Sequence, residues 1–471
     1  MTNARASMAR PFGFRDKIGY FFGDFGNNMS FSLITGYMML YYINVVGVSP
    51  VHFGIIILLA KIWDGINDPI AGAIVDAARP GKRGKFHPWI FWGAFPLSVA
   101  GSLLFMAGPG LPYWARIAWC ALAYFIWDSA YTVVNVPYGS LASVITADPV
   151  ERSELSKYRT LGAIVAAVPL SILVPLVIFD ESRQPIGGRF APIALGLGAI
   201  ALLSFMLCHG LTVERIRHAD RGAAAGDGFS FFRTFGAFLR NRTMMALTLM
   251  AFAQIAFQMS TMQTNTYLFK EYFDNTRLLS VAGLASFLPM LLAVPALKPL
   301  VSRFGKKELA LAGMVGSLVV SFFMFVLPIR DPLAWIVLSA LSGFFASALS
   351  LLSWAMVSDA IDWQELQTGR REEGTVYAIY SLGRKIAQGV GGFVVAAGLG
   401  LVGYEASLPV QPASVSRGIK MMASGFPLLG CVLIVIALGF IYNLDKARID
   451  EMNARLGRSP VPALDLARGD D

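Results

Sequence analysis

Ala60-Lys-Ile-Trp-Asp-Gly-Ile-Asn-Asp-Pro-Ile-Ala-Gly72 places two carboxylates and an amide inside a run that otherwise reads as a membrane-crossing helix. Asp64, Asn67 and Asp68 fall at i, i+3 and i+4, so all three share one helical face about a turn apart. A charged side chain at the centre of a bilayer costs roughly 2.5–3.5 kcal/mol on insertion scales. Two on one face need a compensating partner, and clustered oxygens suit a hard cation or a proton. An interhelical salt bridge, or a face turned to cytoplasmic water, is the plainer explanation of the same residues.

The flanking chain supplies the membrane setting. Of its 471 residues, 55% are hydrophobic and 15% charged, and the mean hydropathy is +0.58. That is too apolar for a soluble multidomain protein. Apolar runs of about twenty residues, the length that spans hydrocarbon, recur near 18–44, 52–76, 88–108, 114–138, 159–179, 191–211, 244–268, 280–299, 308–328, 334–358, 374–402 and 422–443. The expectation is an all-α integral membrane protein with 12 transmembrane helices. Residues 1–17 are basic and polar without a short apolar core, so they read as a retained cytoplasmic tail and not a signal peptide.

A net charge of +9 invites a nucleic-acid partner, but the distribution of the charges argues against one. With both termini inside, most Lys and Arg fall in cytoplasmic segments. The first two outer loops have none, and the few outer ones include Arg183, Lys270, Arg277 and Lys420. That asymmetry is the positive-inside pattern, so the basicity reports topology. Cys120, Cys208 and Cys431 lie in or at the ends of apolar runs and read as small core residues; their spacing fits no metal site.

The longest polar interruption, 212–243, splits the runs six and six. The expected organisation is a bundle over 1–212, a cytoplasmic middle loop over 213–243, a second bundle over 244–445 and a cytoplasmic tail over 446–471. A weak repeat supports two related halves: Gly72-x3-Asp76-x2-Arg79-Pro-Gly-Lys-Arg follows the second run, and Arg303-Phe-Gly-Lys-Lys follows the eighth. Transporters built this way bind cargo near the bilayer midplane. Short basic inside loops would give the same appearance in any membrane protein.

Four stretches in order resemble the glycoside–pentoside–hexuronide:cation symporter family, the melibiose-carrier-like branch of the major facilitator superfamily, from about Ile18 to Asn443. They are Gly23-Asp-Phe-Gly-Asn-Asn28; Ile62-Trp-Asp-Gly-Ile-Asn-Asp-Pro69; Asp68-x3-Gly72-x3-Asp76 running into Gly84-Lys-Phe-His-Pro-Trp89; and Tyr131-Thr-Val-Val-Asn-Val-Pro-Tyr138 paired with the charged segment Asp359 to Gly374. The resemblance implies two six-helix bundles and a cation site of Asp64, Asn67, Asp68 and Thr132, for sodium or a proton. Thr132 would add a hydroxyl from a second helix, although a hydroxyl bonded back to its own helix is an equal alternative.

At the implied sugar site this chain departs from the family. Acidic positions of melibiose-type members are Asn28 and Asn135 here, and an aromatic position is Gly139. Amides still bond sugar hydroxyls, but an α-galactoside becomes a poor candidate. Arg159 and Lys385 match basic positions of the family. They would meet a substrate carboxylate, as in a hexuronide, or Lys385 would reach Asp64 or Asp68. Asp24, Asn27 and Asn28 form a polar stripe on the first run, and Gln254, Gln258, Thr261 and Asn265 form another on the seventh. Such stripes line wet cavities or bond neighbouring helices. Trp127, Tyr131 and Trp354 are candidates to stack on a sugar, or ordinary packing. The substrate set is therefore Asp24, Asn28, Tyr131, Asn135, Arg159 and Lys385.

The expected activity is secondary active symport of a cation with a glycoside, pentoside or hexuronide, without a cofactor other than the coupling ion. The protein would act as a monomer in the inner membrane, in contact with lipid. No Gly-x4-Gly-Lys-Ser/Thr pattern suggests nucleotide-driven transport, and no His-Glu-x2-His pattern suggests an enzyme. A lipid or lysolipid transporter of the same superfamily is the alternative; the amide-rich stripes favour a hydroxylated cargo.

Overall fold

The computed structural model describes residues 10–81, 83–108, 110–216, 242–368 and 373–455. These residues are almost entirely helical. In chain order they form α1 (Phe14–Leu40), α2 (Pro50–Ala77), α3 (His87–Leu103), α4 (Tyr113–Ile145), α5 (Pro149–Ile178), α6 (Gly187–Leu211), α7 (Arg242–Glu271), α8 (Arg277–Ala285), α9 (Leu288–Phe304), α10 (Lys306–Val326), α11 (Pro332–Thr368), α12 (Glu373–Leu401), α13 (Ala413–Ile436) and α14 (Lys446–Arg455). Short π-helical turns extend α1 over Tyr41–Val45 and α13 over Ala437–Ile441. The only extended pairing among the described residues is two isolated bridges, Gly81 with Gly84 and Phe179 with Pro185.

Eight segments among the described residues are long and apolar enough to cross a membrane, with α8 and α9 forming one of them, Arg277–Phe304. Together with α1, α2, α3 and α12 they make twelve long helical segments, the number the apolar runs predict. Helix ends overshoot those runs. α5 begins at Pro149 because the Asp148 carboxylate caps the N–H groups of Val150 and Glu151. α11 continues through Asp359, Asp362 and Glu365 to Thr368, so most of the expected charged loop is helix; Arg370 and Arg371 lie outside the described residues. Hydropathy marks only the lipid-immersed part of a helix, whereas backbone hydrogen bonding carries it on into water.

By contacts the chain groups into two compact units. One comprises Met1–Gly226, Met262–Leu284 and Gly392–Ile419; the other comprises Asp227–Thr261, Ala285–Gly391 and Lys420–Asp471. In the first, α1 packs on α5 and α6, α3 packs on α4 and α6, and α2 packs on α4. Close approach depends on small residues: a Cβ on Gly198 of α6 would stand 2.0 Å from the Ser98 carbonyl oxygen of α3. In the second, Met244, Leu247 and Met250 of α7 share a core with Met314 of α10, Leu352 and Met356 of α11 and Ile434 of α13.

One end of the first unit is latched by Thr212 to Arg215, a stretch the sequence presents only as the start of a polar interruption. The Glu214 carboxylate accepts from the backbone N–H groups of Lys85 (2.7 Å), Phe86 (2.8 Å) and His87 (2.9 Å), and lies 2.8 Å from His87 Nδ1. It thereby fills the anion site that a helix N-terminus offers. Gly84 is required there: its φ is +120°, and a Cβ would fall 2.2 Å from the Glu214 carboxyl carbon. Arg215 next door donates to Asp16 (2.8 Å) and to the Arg10 and Ile145 carbonyls. These contacts tie the last turn of α6 to the ends of α1, α3 and α4.

Burial raises the proton affinity of Glu214, but the His87 hydrogen bond and the backbone donors outweigh it and hold the carboxyl below its usual range. A depressed carboxyl contributes stability that is present above the unfolded group's titration range and is lost as pH falls through the lower folded one. Glu214→Gln should therefore lower thermal stability by about 2 kcal/mol at neutral pH, with the gap to the unmodified protein closing under acid. Gly84→Ala should weaken the same latch. Thermal unfolding of the purified proteins across pH checks both; a gap that persists unchanged into acid would contradict the assignment.

Candidate functional site

The acidic face of α2 lies against α4. Thr132 Oγ1 donates to Asp68 Oδ1 at 3.1 Å, so the hydroxyl bonds across to α2, and the alternative of a bond to its own helix is set aside. Asp64 is buried, and Asn67 and Asp68 are half-buried on the same helix. Pro69 sits inside α2 and has no N–H to give the Gly65 carbonyl, which adds a backbone oxygen to the neighbourhood. Among the described residues no group of three or more His, Cys, Asp or Glu is placed to hold a metal ion. Asp64, Asn67, Asp68 and Thr132 would offer an ion two carboxylates and neutral oxygens, a donor set suited to a hard monovalent cation.

Two charged residues at this seam escaped the sequence reading. Lys61 Nζ lies 3.1 Å from Asp64 Oδ2 and 3.5 Å from Asp128 Oδ1, and 5.8 Å from the centre of the Tyr124 ring. Lys61 is 7% exposed and Asp128 2%. Helical spacing carried the signal: Lys61 is at i−3 from Asp64, and Asp128 at i−4 from Thr132.

A second cluster joins α1 to α5. Arg159 Nε donates to Asp24 Oδ1 at 3.1 Å, and Asn28 Nδ2 donates to Asp24 Oδ2 at 3.2 Å. The guanidinium carbon lies 5.6 Å from the centre of the Tyr138 ring. Tyr138 stacks on Tyr20 and donates to the Tyr20 carbonyl. Asp24, one turn before the neutral Asn28, thus supplies Arg159 with an acid partner. Arg159 nevertheless keeps 45% of its side chain exposed.

Tyr131 precedes Thr132 on α4 and packs on Phe31 of α1 at 5.6 Å and on Trp127 at 5.5 Å. Trp127 is 1% exposed and is a core residue, not a sugar platform. Asn135 is half-buried on α4, and a Cβ at the neighbouring exposed Gly139 would meet nothing within 4 Å.

Lys385 is half-buried on α12 in the other unit. Beside it, Arg384 lies over the rings of Trp354 (5.4 Å) and Tyr380 (5.7 Å). In the α7 stripe, Gln254 donates to Ser350 of α11, and Thr261 bonds back to its own helix. Two presumed outer-loop lysines are helical and buried. Lys270 closes α7 with Glu271 (2.6 Å), and Lys420 on α13 donates to the Phe325 and Leu327 carbonyls. A buried ammonium that satisfies backbone oxygens makes a poor topology marker.

Residues 19–446 match the family described as MFS/sugar transport protein. The chain is 31% identical over 432 residues to the uncharacterised symporter YjmB of Bacillus subtilis, covering 91% of this chain and 92% of that one. It is 28% identical to the glucuronide carrier protein homolog of Escherichia coli, covering 94% and 96%. The crystal structure of a D-xylose–proton symporter superposes with a TM-score of 0.61 at 13% identity, covering 89% of this chain and 97% of that one. At that identity the likeness concerns the fold alone.

Removing Arg159 should leave Asp24 buried without its guanidinium. Arg159→Gln should lower thermal stability by about 1–2 kcal/mol, and adding Asp24→Asn should recover about half of the loss. A double-mutant cycle read by thermal unfolding measures the coupling; strictly additive losses would remove the pair from the account.

Proposed function

The chain belongs to the glycoside–pentoside–hexuronide:cation symporter family of the major facilitator superfamily, and from that premise we propose that it couples one small cation, sodium or a proton, to import of a sugar acid. It is a multi-pass membrane transporter and not an enzyme. The placement we propose is the inner membrane with both termini cytoplasmic, as a monomer whose two halves, 1–212 and 244–445, expose the site alternately to each side.

The observation that carries the cation reading is the Thr132–Asp68 hydrogen bond. It draws a neutral oxygen of α4 onto the acidic face of α2, as a chelated ion requires. Neutralising that face lowers the cost of burying it and raises cargo affinity; by linkage the cargo raises cation affinity by the same factor. For the cargo, Asn28 and Asn135 supply amides for hydroxyls, and the part-exposed Arg159 suits a carboxylate, which a guanidinium binds through paired hydrogen bonds. The space beside Gly139 leaves room for a ring that an aromatic side chain would otherwise flank.

Asp64→Asn or Asp68→Asn should cut gradient-driven accumulation about tenfold or more while sugar exchange without a gradient persists. Uptake into proteoliposomes with and without a sodium or pH gradient measures this, and full accumulation by both variants would refute the site. Arg159→Gln should weaken a glucuronide about tenfold more than a neutral glycoside. Counterflow of labelled sugars checks that ratio, and equal losses would count against an acidic cargo.

A further inference from the structure

Lys61 shares α2 with Asp64, yet its ammonium also reaches across the helix seam. It stands between Asp64 Oδ2 (3.1 Å) and Asp128 Oδ1 (3.5 Å), with the Tyr124 ring at 5.8 Å. All three ions are almost wholly buried. Asp128 does not join Asp64 and Asp68 as a third ligand, since no three acidic groups among the described residues converge in that way. Its charge is directed at Lys61.

Building on the cation site proposed above, we propose that Lys61 is a tethered counter-cation competing with an alkali-metal ion for Asp64, and that Asp128 is the positioning residue that draws it away. A small ion at Asp64, Asp68 and Thr132 places positive charge beside the ammonium and repels it. With Asp128 already within 3.5 Å, the ammonium shifts partner without losing one, so no buried charge is left bare. When the ion departs, Lys61 returns and Asp64 is again neutralised. The ion-free carrier then keeps Asp64 compensated through the return half of its cycle, which suits a transporter that must reorient empty. Without Asp128 the ammonium has Asp64 as its one carboxylate partner among the described residues, and each incoming ion must displace it outright.

Thermal unfolding of the purified full-length protein in detergent, titrated with sodium or lithium chloride against choline chloride at constant ionic strength, tests the idea without knowledge of the cargo. Sodium or lithium should raise the unfolding midpoint of the unmodified protein. Asp128→Asn should raise the half-saturating ion concentration about tenfold, a change of about 1.4 kcal/mol, with the maximal shift retained. Asp128→Glu should stay near the unmodified value. Lys61→Gln combined with Asp128→Asn should return the half-saturating concentration to within about threefold of the unmodified one, because the competitor is gone. A merely structural or ligand role for Asp128 gives no such recovery, so a double variant as weak as Asp128→Asn overturns the proposal, as does an unaltered Asp128→Asn. Should Asp128→Asn fail to fold, Lys61→Gln alone decides: tighter ion binding supports competition, and unchanged or weaker binding overturns it. Absence of any sodium or lithium effect in the unmodified protein overturns the alkali-ion site together with this inference, which separates that failure from the others.

Discussion

Charge at the α2–α4 seam is the constraint around which the first unit is arranged. Asp64 and Asp128 meet the Lys61 ammonium with all three almost wholly buried, and half-buried Asp68 accepts from Thr132. Carboxylates gathered along one seam are costly, and the cost rises steeply with burial. The ammonium offsets it at Asp64 and Asp128, and the Thr132 hydroxyl relieves part of it at Asp68.

The α1–α5 cluster pairs its charges simply. Asp24 and Arg159 match one for one, and Asn28 adds an amide without adding charge. Tyr131, next to Thr132 on α4, packs on Phe31 of α1 and on Trp127, so the helix that carries Thr132 is also held against α1 by stacked rings.

The membrane class, the twelve segments and the acid face of α2 were legible because hydropathy and helical spacing are local properties of the chain. Thr132 was brought to the acidic face by the resemblance alone, and the structure joins it to Asp68 by a cross-helix hydrogen bond. The partners that decide charge balance were less visible. Lys61 and Asp128 sat at helical spacing from recognised residues, but charge on one helix does not reveal which neighbour it faces. Glu214 was hidden for another reason: its role exists only where a glycine with positive φ turns three N–H groups toward one carboxylate, more than a hundred residues away in sequence. Lys270 and Lys420 misled because a basic residue at a helix end can bond backbone oxygens or a neighbouring acid instead of marking a loop.

The neutral residue at Asn28 acquires a physical reading from Asp24. An acid there would stand one turn from Asp24 on the same helix face and repel it. The amide instead donates to Asp24 Oδ2 while Arg159 donates to Oδ1. One carboxylate is thus matched to one guanidinium between α1 and α5, and a second would leave a like-charge pair in a buried setting.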